Sequence, residues 1–229
     1  MNQAQSQAQA QPVTVLLVDD HAMLRDALRS RLEREIDIEV VGTAGTADEA
    51  VEAARRLEPC VVVMDIDMPG RMCFAAAHDI VAFSPRTRMI YLSAFSSDRF
   101  IEDALEAHAL SYLTKDQPPE VVIQAIRQAA QGLSTFSPSV RDRLTIGKNN
   151  KITLGRDDRP KTKASTLTRR ELEMLRYLAR GMSKKEIAAT IHRSYGTVDK
   201  HIEKLMNKLD IHDRVGLARY AIREGLAEA

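Results

Sequence analysis

The chain has 229 residues, which is enough for one large or two small domains with buried cores. The formal net charge is only +1, but residues 1–132 carry 12 basic and 20 acidic side chains, whereas residues 133–229 carry 21 and 12. The two cysteines lack the spacing of a disulfide scaffold, and no run reaches the roughly 20 apolar residues of a membrane span. These features argue against a secreted scaffold and a membrane protein, and they predict a cytoplasmic protein whose basic half could bind a polyanion.

The chain begins with a Gln- and Ala-rich tail, residues 1–12, which has no signal-peptide pattern and which we predict to be disordered. From Val13 onward, short runs rich in β-branched and aromatic residues alternate with amphipathic stretches of helical length. The strand-like runs are VTVLLV, IEVV, CVVVM, MIYL and SYL. Five strands that are each followed by a helix predict an α/β domain over residues 13–132, with a doubly wound, five-stranded parallel sheet.

Polar side chains follow four of the five predicted strands. Asp19 and Asp20 follow the first strand, Asp65 the third, Ser93 the fourth and Lys115 the fifth. Ligands of such sheets bind beyond the carboxyl ends of the strands, where the loops converge. We therefore expect these five side chains to lie together at one edge of the sheet.

Three carboxylates so close together repel one another unless a cation lies between them, so the pattern implies a metal ion. Oxygen ligands favour Mg²⁺, whereas the nitrogen or sulfur ligands that zinc prefers are missing from this set. Lys115 adds a positive charge for an incoming phosphoryl group and Ser93 adds a hydroxyl, which together suggest phosphoryl transfer onto a carboxylate. Each acid taken singly is more often a helix cap or a turn residue.

Residues 13–132 resemble a response-regulator receiver domain, which implies a flavodoxin-like fold. The resemblance rests on four motifs: DD at 19 and 20, MDIDMPG at 64–70, YLSA at 91–94 and SYLTKD at 111–116.

The receiver resemblance implies a role for each residue of the predicted site. A sensor histidine kinase would transfer a phosphoryl group to Asp65, and Lys115 would contact that group. Asp20, Asp65 and the backbone carbonyl of Asp67 would bind Mg²⁺, and Asp19 would support the ion through water. On phosphorylation, Ser93 would move and Tyr112 would turn inward as a switch. An ordinary buried tyrosine is the alternative for Tyr112.

Four positions depart from the receiver pattern. Met72 and Cys73 stand where an acidic or Asn residue and a glycine are common, and His108 and Ser111 stand where glycines are common. If those glycines permit positive φ, the loops here are strained or differ in shape. The departures leave open a receiver with phosphate-independent control.

A phosphatase is a second alternative for DIDMPG. In haloacid-dehalogenase-type phosphatases an Asp nucleophile is followed two positions later by an Asp acid/base, as Asp65 is by Asp67. That nucleophile normally follows the first strand, whereas Asp65 follows the third, so the receiver interpretation is favoured.

Residues 133–165, rich in Gly, Pro, Ser and charge, are predicted to be a linker. Residues 166–229 then carry the signals of four short helices. Thr168 with Glu171 and Ser183 with Glu186 form capping boxes, and later start signals follow at Ser194 and Asp213. Short helices with tight turns in a basic segment predict a second, smaller all-α domain of the helix-turn-helix type.

Leu167 to Leu226 resembles a LuxR-type DNA-binding domain through LTRRELEML, RGMSKKEIA, TVDKH and the pair Lys208 and Leu209. With the receiver, the resemblance implies a NarL/FixJ-type response regulator, which is a transcriptional regulator and not an enzyme. It would bind double-stranded DNA as a homodimer, with no membrane partner. In this family the third helix enters the major groove and the fourth forms the dimer contact.

We predict that one group of residues contacts DNA and another forms the dimer. The DNA-binding group is Lys184, Lys185, Ser194, Thr197, Asp199, Lys200, Glu203 and Lys204. The dimer group is Val215, Leu217, Ala218 and Ala221. A solvated charged face and an internal core are the respective alternatives, and a scaffold that uses its helices only for protein contacts would bind no DNA.

Overall fold

The computed structural model describes residues 11–68, 70–94, 97–147, 152–155, 163–224 and 226. The tail predicted at 1–12 therefore lies outside the described residues, except for its last two positions. Within the described ranges, no helix combines the length and hydropathy needed to cross a membrane.

The first domain is a parallel sheet with helices on both faces, as predicted. Its strand order is β2-β1-β3-β4-β5-β6. The strands are β1 (Val13–Val18), β2 (Ile38–Ala44), β3 (Val61–Asp65), β4 (Arg88–Ser93), β5 (Ala109–Thr114) and β6 (Thr135–Phe136). The helices are α1 (Ala22–Leu32), α2 (Ala47–Leu57), α3 (Cys73–Phe83), α4 (Asp98–Glu106) and α5 (Pro119–Ala130).

The central strand β3 shows why the apolar runs are continuous. Alternate side chains enter two separate cores, with Val62 and Met64 facing α2, α3 and α4 and with Val61 and Val63 facing α1 and α5. All four are almost completely buried, and each such valine contributes roughly 1.5–3 kcal/mol relative to exposure. The polar end of the strand, Asp65, is therefore held on a rigid support.

The sheet has six strands, which corrects the prediction of five. The sixth strand, β6, pairs with β5 in parallel and comes from the segment that we interpreted as a linker. The same segment forms α6 (Pro138–Arg141) and an antiparallel hairpin of β7 (Leu144–Ile146) and β8 (Ile152–Leu154). Two residues are too few to show strand periodicity, so β6 could not be recognised within a segment of polar composition. Residues 148–151 and 156–162 of the predicted linker lie outside the described residues.

Two of the departures from the receiver pattern have structural explanations at β5. His108 has φ +60°, a conformation that typically costs a non-glycine residue about 1–2 kcal/mol. The Ser111 side chain is buried, and its hydroxyl accepts a hydrogen bond from the Thr135 N–H of β6 at 3.1 Å. The serine therefore helps to attach the sixth strand.

The second domain has the four helices that the sequence predicted. They are α7 (Arg169–Ala179), α8 (Lys184–Thr190), α9 (Tyr195–Leu209) and α10 (Arg214–Arg223), preceded by a 3₁₀ turn at Lys163–Thr166. Both capping boxes form, and the side chains of Ser194 and Asp213 accept backbone N–H groups at the starts of α9 and α10. The inner faces of α7 and α9 form the core with Leu172, Leu175, Leu178, Val198, Ile202, Leu205 and Leu209.

Candidate functional site

The carboxyl ends of the strands bring three acids and a lysine together. Lys115 Nζ lies 2.8 Å from Asp19 Oδ2 and 3.0 Å from Asp65 Oδ2. Asp65 is 1% exposed, and its Oδ1 accepts a hydrogen bond from the Asp67 N–H at 2.9 Å. Asp20 lies in the same cluster. We call Asp19, Asp20, Asp65 and Lys115 the acidic pocket.

Burial makes Asp65 an unusual carboxyl. Burial raises the pKa of Asp65 from 3.8 to about 6, Lys115 opposes this rise, and Asp19 and Asp20 add to it. Burial alone would lower the pKa of Lys115, but Asp65 and Asp19 outweigh that effect and raise it. Lys115 is therefore a fixed positive charge beside a carboxylate whose ionised form is poorly solvated.

The raised pKa of Asp65 predicts that its charge destabilises the metal-free fold near neutral pH. From about pH 4 to 6 the folded protein keeps a proton on Asp65 that the unfolded chain releases, so stability falls as pH rises through this window. The full difference corresponds to about 3 kcal/mol. We expect Asp65→Asn to raise the free energy of unfolding by about 2–3 kcal/mol at pH 7 and by little at pH 4.

Urea denaturation in the presence of a chelator measures this difference. Asp142→Asn, at an exposed carboxyl outside the pocket, serves as the control. An equal gain for Asp65→Asn at both pH values would contradict the burial effect.

The acidic pocket fits a hard divalent cation such as Mg²⁺. Candidate ligand atoms of Asp19, Asp20, His21 and Asp65 all lie within 4.8 Å of one another. Asp20 Oδ1 and Asp65 Oδ2 are buried, and neither accepts a hydrogen bond from the residues that the structure describes. The Asp65 oxygen faces Lys115 Nζ at 3.0 Å, and carboxylate oxygens are ligands that Mg²⁺ takes.

The statement that nitrogen ligands are missing from this set was wrong. His21 Nδ1 lies 2.9 Å from Asp20 Oδ1 and 3.4 Å from Asp19 Oδ1. The imidazole is largely exposed at the start of α1, so it borders the pocket from the solvent side. The residue directly follows the two acids in the sequence, and that position was the signal we overlooked.

Ser93 and Tyr112 lie side by side next to the pocket. Tyr112 is 1% exposed, which fits both the switch and the ordinary buried tyrosine. Burial raises the pKa of its hydroxyl well above the usual value, and a hydrogen bond with Ser93 partly offsets the rise. Ser93 is itself completely buried at the end of β4.

The second domain contacts the receiver at the loop after β3. Arg180 Nη2 donates to the backbone carbonyl of Asp67 at 2.5 Å and lies 2.8 Å from Asp67 Oδ2. Arg176 forms an ion pair with the same carboxylate. The Tyr177 hydroxyl accepts a hydrogen bond from the Gly70 N–H at 3.1 Å. The face of α7 that carries these side chains therefore lies against the loop that follows Asp65.

The departures Met72 and Cys73 belong to this domain contact. Both residues line the same cavity as Tyr177 and Arg180, between the loop and α7. Cys73 is buried at the start of α3, and burial raises the pKa of its thiol well above the usual value. The loop therefore presents an apolar surface to the second domain.

The outer face of α9 is open to solvent. Lys200, Glu203 and Lys204 are exposed there, as is Lys185 on the preceding helix. The receiver contact uses α7, so it leaves this part of the predicted DNA-binding surface uncovered.

Four of the predicted DNA-binding residues have partners within the domain. Lys184 forms an ion pair with Asp199. The Ser194 and Thr197 hydroxyls lie 2.9 Å apart, and Ser194 also caps α9. Asp199 is consequently already neutralised, which reduces the mutual repulsion of the acids on this helix.

Only part of the predicted dimer group lies on the surface. Val215 is 68% exposed and Ala218 is half-buried. Leu217 and Ala221 are completely buried in the core of the domain and cannot touch a partner unless the domain opens, which corrects their prediction as dimer contacts. Ile222, which we did not predict, is 38% exposed on the same helix.

The contact face of α7 was not predicted from the sequence. Glu173, Arg176, Tyr177 and Arg180 recur at the spacing of one helix face. A tyrosine in that set was the available signal for a second buried face, but the strong leucine stripe on the opposite side already explained why the helix forms.

Comparison with known proteins assigns both parts of the chain. The family model for the response regulator receiver domain matches residues 15–127, and that for bacterial regulatory proteins of the luxR family matches residues 165–221. VraR, a response regulator of Staphylococcus aureus, is 32% identical over 94% of this chain and 99% of its own length. The transcriptional regulatory protein YxjL of Bacillus subtilis is 30% identical over 94% of this chain and 98% of its own length.

Solved structures share the fold. A structure of the response regulator RcsB from Salmonella typhimurium covers 94% of this chain and all of its own, with a TM-score of 0.70 and 20% identity. Another RcsB structure, of two dimers bound to two parallel DNAs, covers 91% of this chain and 97% of its own, with a TM-score of 0.53 and 22% identity.

Proposed function

We propose, since the chain belongs to the response regulators that join a receiver domain to a LuxR-type DNA-binding domain, that phosphorylation of Asp65 controls its binding to DNA. Proteins of this family are transcriptional regulators and not enzymes. One observation carries the proposal: Asp65 Oδ2 is buried, accepts no hydrogen bond from the described residues and lies 3.0 Å from Lys115 Nζ.

The geometry suits attack by Asp65 on a phosphohistidine of a sensor kinase. The Asp65 carboxylate forms the new bond to phosphorus, and the bond between phosphorus and the imidazole nitrogen breaks, leaving its electron pair on the ring. Lys115 holds a positive charge where the transferred oxygens arrive. Mg²⁺, bound by Asp20, Asp65 and the Asp67 carbonyl and supported by Asp19 through water, would neutralise the remaining negative charge.

The groups that respond to phosphorylation are Ser93 and Tyr112. Their hydroxyls are hydrogen-bonded at the end of β4 and β5, so a phosphoryl group on Asp65 would compete for the Ser93 donor. Loss of that bond leaves the Tyr112 hydroxyl free to move. The expected consequence is a changed surface on α4 and β5.

DNA binding is assigned to α9 and the start of α8. Lys200 and Lys204 are exposed cations at successive turns, suited to phosphate contacts, and Glu203 lies between them. Lys184, Lys185, Ser194, Thr197 and Asp199 complete the surface. A dimer through Val215, Ala218 and Ile222 would present two copies of α9 to two half-sites in the cytoplasm, where the chromosome and the kinase are accessible.

The phosphatase alternative makes the opposite prediction for Asp67. A phosphatase needs the Asp67 carboxyl as acid/base, whereas a receiver needs only its backbone carbonyl. We therefore expect Asp67→Ala to keep at least half of the wild-type labelling by radioactive acetyl phosphate and to release no more phosphate than the wild type. Loss of labelling together with lost turnover of a phosphomonoester would overturn the proposal in favour of a phosphatase.

Phosphate-independent control is the second alternative. It predicts that Asp65→Ala binds DNA as the phosphodonor-treated wild type does. The position of Asp65 favours phosphorylation, because its carboxyl is buried and its Oδ2 lies 3.0 Å from the positive charge of Lys115.

A further inference from the structure

Two arginines of the DNA-binding domain contact Asp67, a predicted metal ligand of the receiver. Arg180 Nη2 donates to the Asp67 carbonyl oxygen at 2.5 Å, and Arg176 and Arg180 both form ion pairs with the Asp67 carboxylate. The carbonyl is the atom that would bind Mg²⁺ in the proposed function. When the domains are docked, the Arg180 guanidinium is therefore hydrogen-bonded to the Asp67 carbonyl oxygen.

Arg176 lies deep in the contact. Its side chain is 11% exposed, and its guanidinium lies 5.0 Å from the centre of the Phe100 ring. Burial and the neighbouring Arg180 lower the pKa of Arg176 to about 10, while Asp65 and Asp20 oppose that change, so the guanidinium stays charged at neutral pH. A buried cation is costly unless anions surround it, and here Asp67 pairs with it directly while Asp65 and Asp20 lie nearby.

We propose that Arg176 and Arg180 form a tethered cation that competes with Mg²⁺ for the receiver, so that domain docking and metal binding exclude each other. The inference rests on the proposed function, because the Asp67 carbonyl is a metal ligand only there. Mg²⁺ demands near-octahedral ligands at about 2.1 Å, and a guanidinium already bonded to one of them is a like charge within a few ångströms. Both cations therefore cannot hold Asp67 at once.

The rest of the domain contact is consistent with reversible docking. Among the described residues, the Tyr177 hydroxyl also accepts the Gly70 N–H and donates to the Gly70 carbonyl, and Met72 adds an apolar surface. Salt-bridged polar contacts of this kind are typical of domains that separate. The docked form places α7 against the loop after β3, and it leaves the outer face of α9 exposed.

Linkage makes the competition reciprocal. If docking weakens Mg²⁺ binding by a given factor, Mg²⁺ weakens docking by the same factor. Such couplings are usually about 5- to 150-fold. Removing the two arginines should therefore tighten Mg²⁺ binding, and adding Mg²⁺ should separate the domains of the unaltered chain.

The first test is calorimetric titration of Mg²⁺ into the full chain and into the Arg176→Ala/Arg180→Ala variant. Arg219→Ala, at an exposed arginine of α10, is the matched control. We expect the double variant to bind Mg²⁺ at least about fivefold more tightly than the wild type, and the control to match the wild type. Equal or weaker binding by the double variant would overturn the inference.

The second test needs no substitution. Small-angle scattering of the wild-type chain should show a larger radius of gyration as Mg²⁺ is added, with half the change at the calorimetric dissociation constant. An unchanged radius at saturating Mg²⁺ would overturn the inference, whatever the variant does. If none of these chains binds Mg²⁺, the metal site of the proposed function fails as well. If they bind it and Asp65 is phosphorylated, but neither test shows competition, only the inference fails.

Discussion

Asp65→Ala is expected to lose essentially all phosphorylation by acetyl phosphate in Mg²⁺. Asp65 is the most deeply buried acid of the acidic pocket, and its Oδ2 lies 3.0 Å from Lys115 Nζ. Asp19 is also near Lys115, but its Oδ2 accepts a hydrogen bond from Nζ at 2.8 Å and its Oδ1 accepts the His21 N–H. Loss of label in Asp65→Ala therefore distinguishes Asp65 from Asp19, the other acid beside Lys115.

The measurement is retention of radioactive label on the purified protein. Asp142→Ala, which removes an exposed acid outside the pocket, should label as the wild type does. A thermal unfolding transition at or above that of the wild type would show that Asp65→Ala is folded, as expected when a buried charge is removed. Label on Asp65→Ala at more than about a tenth of the wild-type level would contradict the assignment.

Lys200→Ala/Lys204→Ala is expected to weaken DNA binding and to change its dependence on salt. Both lysines are exposed on the outer face of α9, one turn apart. Each phosphate contact contributes about 0.9 to the slope of log affinity against log salt concentration, so two lost contacts per chain reduce the slope by about 1.8. Affinity at low salt should fall by one to several orders of magnitude, and the loss should shrink as salt rises.

Fluorescence anisotropy over a salt series, with a genomic fragment selected by the wild-type chain, measures both quantities. Arg56→Ala, at an exposed cation of the receiver helix α2, is the control and should leave the slope unchanged. A double variant with the wild-type slope would contradict phosphate contacts by this helix. Absence of DNA binding by the wild type would favour a protein-contact scaffold.

Much of the receiver architecture could be predicted because a simple topological rule governs it. Strands with both faces buried must be continuously apolar, and their carboxyl ends must meet at one edge. The rule is sufficient to bring Asp19, Asp65 and Lys115 together from positions up to 96 residues apart. The capping boxes were equally reliable, since they depend only on residues three positions apart.

Features that depend on contacts between elements were not predictable in the same way. The strand β6 has two residues, and what holds it is the Ser111 hydroxyl and the β5 backbone rather than its own pattern. Val215 and Leu217 are both apolar residues of α10, yet one is exposed and the other is core. Sequence periodicity could not show which of the two is buried, because an amphipathic helix can be drawn with either residue on its apolar face.

The departures from the receiver pattern also needed the structure. His108 adopts a positive φ that a glycine would adopt without strain. The loop therefore has the backbone conformation expected with a glycine, and the conformational strain lies at His108. Met72 instead lines the cavity between the loop and α7, together with Tyr177 and Arg180. Its side chain is therefore part of the contact between the two domains. The two loops differ because one is constrained by the sheet and the other by the second domain.

Control of DNA binding through Asp65 is tested most directly by the affinity of the full chain for its selected genomic fragment, at fixed salt and Mg²⁺, with and without acetyl phosphate. The wild type should bind more tightly after treatment with acetyl phosphate, and Asp65→Ala should show one affinity under both conditions. An equal change in both proteins, or no change in the wild type after its labelling has been verified, would contradict control by phosphorylation of Asp65.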